Sequence, residues 1–162
     1  MIIFLDFDGV LHPDSAYLVN GRPVLRGDGE LFMWTFLLSD LLAACPNVRI
    51  VLSTSWVRLL SFTRARSYLP EALQKRVIGA TWHSRIEDYQ RWDSASRYQQ
   101  IRRYVNRAGL KNWIAIDDDG EGWSPADADR LIQTDGERGI SDPAILLQIA
   151  DKLKKLKAAQ EC

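Results

Sequence analysis

The chain has 162 residues, and 21 Lys and Arg against 21 Asp and Glu leave its formal net charge at zero. That length suits one globular domain over residues 1–162, and the neutral balance excludes a general electrostatic pull toward nucleic acid or a membrane surface. No apolar run approaches the roughly 20 residues of a spanning helix, and the chain opens on a strand rather than a basic, cleavable leader, so a cytoplasmic protein without membrane contact is expected.

Taken in order, Ile2-Ile3-Phe4-Leu5 is an apolar run of the kind buried in a parallel sheet, and it stops abruptly at Asp6-Phe7-Asp8-Gly9. Asp6 and Asp8 therefore stand at the carboxyl end of a strand, the edge where open α/β sheets bind ligands. Turn chemistry alone also ends strands in Asp and Gly, so this stretch by itself decides nothing. A calcium loop of the EF-hand type is excluded, because its alternating oxygen ligands and closing Glu do not follow.

Next comes a small hairpin flap at about residues 14–27, marked by Asn20-Gly21 between apolar residues, which would hang over the same edge. Leu31, Phe32, Phe36, Leu37, Leu41 and Leu42 predict a helix over 28–44, ended by Pro46. Residues 48–52 form a second buried strand that stops at Ser53-Thr54-Ser55-Trp56, followed by a helix to about residue 68 with Ser55 the expected cap. A short helix at 70–75, a strand at 77–81 and a surface loop at 82–92 follow. Asp93 or Ser94 then opens a helix closed by Gly109, with Arg97 in its first turn, where the dipole favours an acid instead.

The strand at 112–116 again ends in acid, Asp117-Asp118-Asp119-Gly120. Side by side, two such strand ends would bring three or more carboxylates together, and these repel unless a cation or proton intervenes. An oxygen-only cluster without His or Cys suits Mg²⁺ better than Zn²⁺. A fifth strand at 130–134 and a last helix, capped by Ser141-Asp142-Pro143 and running to about residue 158, complete the chain.

In this order, each at a strand end or on the helix that follows, these residues resemble the four signature motifs of the haloacid dehalogenase (HAD) superfamily. Asp6-Phe7-Asp8-Gly9-Val10 matches motif one, Ser53 or Thr54 motif two, Arg97 the motif three cation (usually Lys), and Asp117-Asp118 motif four. The compact form, the Ser-Thr-Ser-Trp stretch and the late Gly139-Ile140-Ser141-Asp142 turn are similar to the branch found in Swiss-army-knife RNA-repair proteins.

The resemblance implies a three-layer, Rossmann-like α/β fold, with a parallel five-stranded sheet ordered 3-2-1-4-5, helices on both faces and no cap domain. It implies a Mg²⁺-dependent phosphatase in which Asp6 is the nucleophile, forming an aspartyl-phosphate, and Asp8 the general acid and base. Ser53 or Thr54, Arg97 and the backbone N–H groups of Phe7 and Gly9 would hold the phosphate. Asp6, Asp8 (through its carbonyl), Asp118 and, through water, Asp117 would hold the metal. An open site favours a phosphate on a larger molecule, or a partner or second copy covering it.

Two other readings stand beside this one. Trp56, Trp82, Trp92 and Trp123, with Arg58, Arg64, Arg66, Arg102 and Arg103, could stack and track a nucleic-acid end, making the chain an end-processing phosphatase in RNA or DNA repair. A non-catalytic metal-binding domain would keep the same carboxylates. His12 and His83 read as hydrogen-bonded loop residues.

Overall fold

The computed structural model describes residues 1–83 and 94–158; the predicted loop over 82–92, the helix start at Asp93 and the stacking role of Trp92 fall wholly or largely outside them. Five apolar runs become the parallel sheet: β1 (Ile2–Leu5), β4 (Arg49–Leu52), β5 (Val77–Ala80), β6 (Trp113–Asp117) and β7 (Leu131–Gln133). They lie in the order β5-β4-β1-β6-β7, which reads 3-2-1-4-5 once the hairpin strands are left out of the count. The remaining two strands, β2 (Ala16–Val19) and β3 (Arg22–Leu25), form the flap, turned by Asn20 and Gly21 at φ 51° and 72°. Two successive positive φ values are what a two-residue hairpin turn of the twisted kind requires. Among the described residues there is no cap domain.

β1 and β6 are buried throughout because both sheet faces are covered. On one face Leu5, Phe7, Leu38, Leu52, Ile116 and Ile149 pack into the larger core. On the other, Phe4, Val51, Trp113 and Ala115 meet Ile101 and Val105 of helix α5 (Arg97–Ala108).

Three helix boundaries depart from the sequence expectation, each for a local reason. Helix α1 spans Thr35–Ala43, not 28–44, because Phe32 takes φ 61° and breaks the helical path while its ring enters the core. The helix expected to run to residue 68 is two, α2 (Ser55–Leu60) and α3 (Phe62–Ser67), divided at Ser61 with φ 86° and ψ 157°. Ser61 ends one helix and caps the next, its hydroxyl accepting from the Arg64 amide. Helix α5 starts at Arg97 behind a capping box: the Ser96 hydroxyl accepts from the Gln99 amide at 3.3 Å, and the Gln99 side chain accepts from the Ser96 amide at 3.2 Å. A short α4 (Glu71–Gln74) and the long α6 (Pro143–Ala158) complete the helices, and Asp142 Oδ1 accepts from the Ala144 amide at the start of α6.

Candidate active site

Register brings the acids together. Leu5 pairs with Ile116 across β1 and β6, and the ladder continues as the Asp6 amide donates to the Ile116 carbonyl. Asp6 and Asp117 thus sit side by side on adjacent strands, roughly 5 Å apart along the ladder direction. Asp118 reaches the same place from the turn beyond β6. One carboxylate oxygen from each of Asp6, Asp117 and Asp118 lies within 4.8 Å of the others.

The turn after β1 permits this approach. Gly9 has φ +65°, and a Cβ there would stand 2.5 Å from Asp118 Oδ2, so both the conformation and the contact require glycine. The same turn is pinned by the Thr134 hydroxyl, which donates to the Gly9 carbonyl at 2.7 Å, and by the Ile140 amide, which donates to the Val10 carbonyl.

Arg97, at the first position of α5, enters from the other sheet face. Its Nη2 donates to Asp6 Oδ2 at 3.2 Å, and its Nε stands 3.1 Å from Asp117 Oδ2. That second contact is an attraction of charges without hydrogen-bond alignment, and neither atom has a hydrogen-bond partner among the described residues. The misfit of a cation at a helix start is thereby resolved, because the carboxylates outweigh the dipole. Burial alone would weaken the guanidinium's hold on its proton, but Asp6 and Asp117 overcome this and raise its pKa.

Among the described residues, one guanidinium stands against three carboxylates. Burial pushes the Asp6 carboxyl above its ordinary range, against the pull of Arg97, with Asp8 pushing it up further. Burial and then Asp6 raise Asp117 well above its ordinary value. Half-buried Asp118 is pushed up to about 6 by burial, Asp6 and Asp14. Asp14 is an acid at this edge that sequence reasoning did not single out; its position after the predicted strand-end turn was the available signal.

This donor set fits a hard divalent cation. It is all oxygen, it includes the buried Oδ2 of Asp117, which accepts no hydrogen bond among the described residues, and its oxygens lie within 4.8 Å of one another, on the scale of the about 4 to 5 Å across such an ion's oxygen shell. Asp8's side chain is not one of the three.

Asp8 points elsewhere. Its Oδ1 lies 3.0 Å from His12 Nε2, and its Oδ2 accepts from Trp56 Nε1 at 2.8 Å. His12 is the hydrogen-bonded residue the sequence predicts, whereas Trp56, a candidate for base stacking, is buried among Phe7, Phe32 and Tyr68.

The hydroxyls after β4 also separate. The Ser53 amide still donates to the Leu5 carbonyl, so Ser53 remains in the sheet, and its hydroxyl is fully buried without a partner among the described residues. Thr54 is the residue that leaves the sheet. Its hydroxyl, not that of Ser55, caps α2 by accepting from the Trp56 amide, and Thr54 is among the groups that hold the Asp6 pKa down against burial. With Arg58, Thr81, Ser96, Arg97 and Gln100 it lines a polar cleft of about 220 Å³ beside the cluster.

Other expected contacts are spent inside the chain. The Phe7 amide donates to Asp6 Oδ1 at 2.7 Å. Arg64 donates to the Gly21 carbonyl, Arg66 to the Gln74 carbonyl, and Arg102 pairs with Asp127. Trp123 packs on Tyr98 and Trp113.

A parallel sheet in which two adjacent strands end in gathered carboxylates, with a partly buried guanidinium between them, defines the class: a HAD-like domain. The family model described as the HAD domain in Swiss Army Knife RNA repair proteins matches residues 2–145, and the chain belongs to that family. Comparison with curated proteins and with solved structures gives no match. Among the described residues no helix is long and apolar enough to cross a membrane.

Proposed function

We propose that this domain is a Mg²⁺-dependent phosphatase that hydrolyses a phosphate monoester through an aspartyl-phosphate on Asp6. The observation that carries the reading is the division of labour at the end of β1, where Asp6 lies in the acid and guanidinium cluster while Asp8, two residues on, is held apart from it.

Asp6, Asp117 and Asp118 would hold the cation, which when bound screens the incoming phosphate from the carboxylates and polarises its oxygens. The Asp6 carboxylate attacks phosphorus, the bond from phosphorus to the ester oxygen breaks, and Asp8 gives its proton to the departing alkoxide. Asp8 then takes a proton from the water that attacks the aspartyl-phosphate, which frees Asp6 and releases inorganic phosphate. Arg97 and the Thr54 hydroxyl bind the equatorial oxygens, a charged donor and a neutral one. The motif two role goes to Thr54 rather than Ser53, since Thr54 lines the cleft while the Ser53 hydroxyl is fully buried.

A second reading narrows the substrate to a phosphate at the end of a nucleic-acid strand. The family's description, which names RNA repair, supports it. A screen of phosphorylated metabolites against 3′- and 5′-phosphorylated oligonucleotides, with and without Mg²⁺, tests both. Release of phosphate from no substrate under any of these conditions rejects the phosphatase assignment in favour of a binding domain.

A further inference from the structure

Among the described residues, Asp8 is the only site carboxylate with an aromatic ring nitrogen within hydrogen-bond distance of each oxygen. The Trp56 indole N–H can only donate. His12 is fully buried, and its Nδ1 has no partner among the described residues. A proton on Nδ1 would be a buried donor without an acceptor, so the tautomer protonated on Nε2 is favoured and His12 donates as well.

The donors are themselves held. The chain turns back after Gly9, with the Leu11 amide donating to the Phe7 carbonyl, and Asp8 and His12 pair in a β-bridge. The imidazole meets Phe32 and Trp56 edge to face at 4.9 and 5.6 Å, and Phe32 stacks on Tyr68 at 5.6 Å. Each carboxylate oxygen keeps a second lone-pair position for the transferred proton. Asp8 also lines a cleft with Tyr17, Leu18 and Pro23 of the hairpin and Ser55 and Leu59 of α2.

We propose that His12 and Trp56 are positioning residues that fix the Asp8 carboxylate in one rotamer facing the hairpin cleft, so that protonation of the leaving group depends on them. The inference rests on Asp8 being the proton-transfer group, as argued above. Neither His12 nor Trp56 gains or loses a proton; Asp8 gives one to the ester oxygen and recovers one from water.

The test is kcat/KM across phosphate esters of rising leaving-group basicity, from p-nitrophenyl phosphate to phenyl and alkyl phosphates. The variants are His12→Phe and Trp56→Phe, which keep an aromatic ring and lose the donor, with His12→Gln as the conservative rescue and thermal melting as the check on folding. The nitrophenolate needs little help from an acid, so its value falls less than about threefold, while the alkyl ester's falls by about 10²-fold, within the range of general acid catalysis. His12→Gln, whose amide can reach Oδ1, returns part of the loss. An equal fall for all esters, or none, shows a purely structural brace and overturns the inference. Asp8→Asn run in parallel separates the failures. If it leaves the leaving-group dependence unchanged, Asp8 is not the acid and both ideas fall; if it steepens the dependence while His12→Phe and Trp56→Phe do not, only the brace falls.

Discussion

The two sides of the site are built on opposite principles. Around Asp8 each oxygen has a side-chain partner, supplied by two buried rings packed in the core. Around Asp6, Asp117 and Asp118, a single guanidinium among the described residues faces three buried or half-buried acids whose proton affinities are all raised. One side is finished on folding; the other, among the described residues, holds more acid than base. The contrast teaches where each kind of chemistry belongs, because a proton-transfer group gains from fixed geometry, whereas a cation pocket gains from charge left unbalanced.

The largest expected effect tests the cluster's chemistry. Asp6→Asn removes the attacking carboxylate and reduces p-nitrophenyl phosphate hydrolysis by about 10⁴-fold or more, while circular dichroism and melting show a folded protein. Residual turnover near the wild-type rate would show that the cluster does not supply the nucleophile.

Gly9→Ala attacks the same side through its geometry. A Cβ at φ +65° and 2.5 Å from Asp118 Oδ2 costs about 2 kcal/mol of stability and displaces that carboxylate, weakening Mg²⁺ binding by about 10- to 100-fold in calorimetric titration. Unchanged affinity would mean that Asp118 is not a ligand.

Acidity should divide the two forms of the protein. Asp118 has its pKa raised to about 6 in the cation-free fold, so the stability it contributes is complete below the unfolded value near 3.8 and is lost as pH rises through about 6. Mg²⁺ competes with that proton. Saturating Mg²⁺ therefore raises the melting midpoint by about a few degrees at pH 7.5 and by less at pH 5. A Mg²⁺ shift that is the same at both values would detach the cation from these acids.

The smallest effects separate the two hydroxyls. Ser53→Ala deletes a buried hydroxyl without a partner among the described residues and changes stability by less than about 0.5 kcal/mol. Thr54→Ala removes the cap of α2 at a cost of about 1 kcal/mol and, in addition, lowers activity through Asp6. The reverse ranking in activity would return the phosphate contact to Ser53.

Much of the scaffold was legible because apolar runs that stop at acid leave a sharp mark: Ile2 to Asp6 and Trp113 to Asp117 are strands whose ends announce themselves. Strand adjacency came from the superfamily resemblance rather than from any local pattern. What stayed hidden depends on single-residue register or on distant partners. Whether Ser53 or Thr54 leaves the sheet turns on one hydrogen bond to Leu5. The link from Trp56 to Asp8 spans 48 positions and is created by the crossover after β4, which composition around either residue does not encode. The break at Ser61 and the late start of α1 follow from positive φ at non-glycine residues, for which helical periodicity gives no warning. The capping box at Ser96 and Gln99 is a signal the sequence does carry, and it rather than Asp93 or Ser94 gives the start of α5.

The turn that carries Gly9 and Val10 is clasped by three separate segments, through the Thr134 hydroxyl, the Ile140 amide and the Trp34 amide on the Leu11 carbonyl. Loosening it means detaching the strand end after β7, the approach to α6 and the approach to α1 together. In amide hydrogen exchange, Val10 and Leu11 therefore become labelled only when the whole domain opens, while the hairpin strands, paired only with each other, trade their protons through small private fluctuations. Whatever breathing admits a bulky ester takes place in the flap, leaving the knot beneath it still.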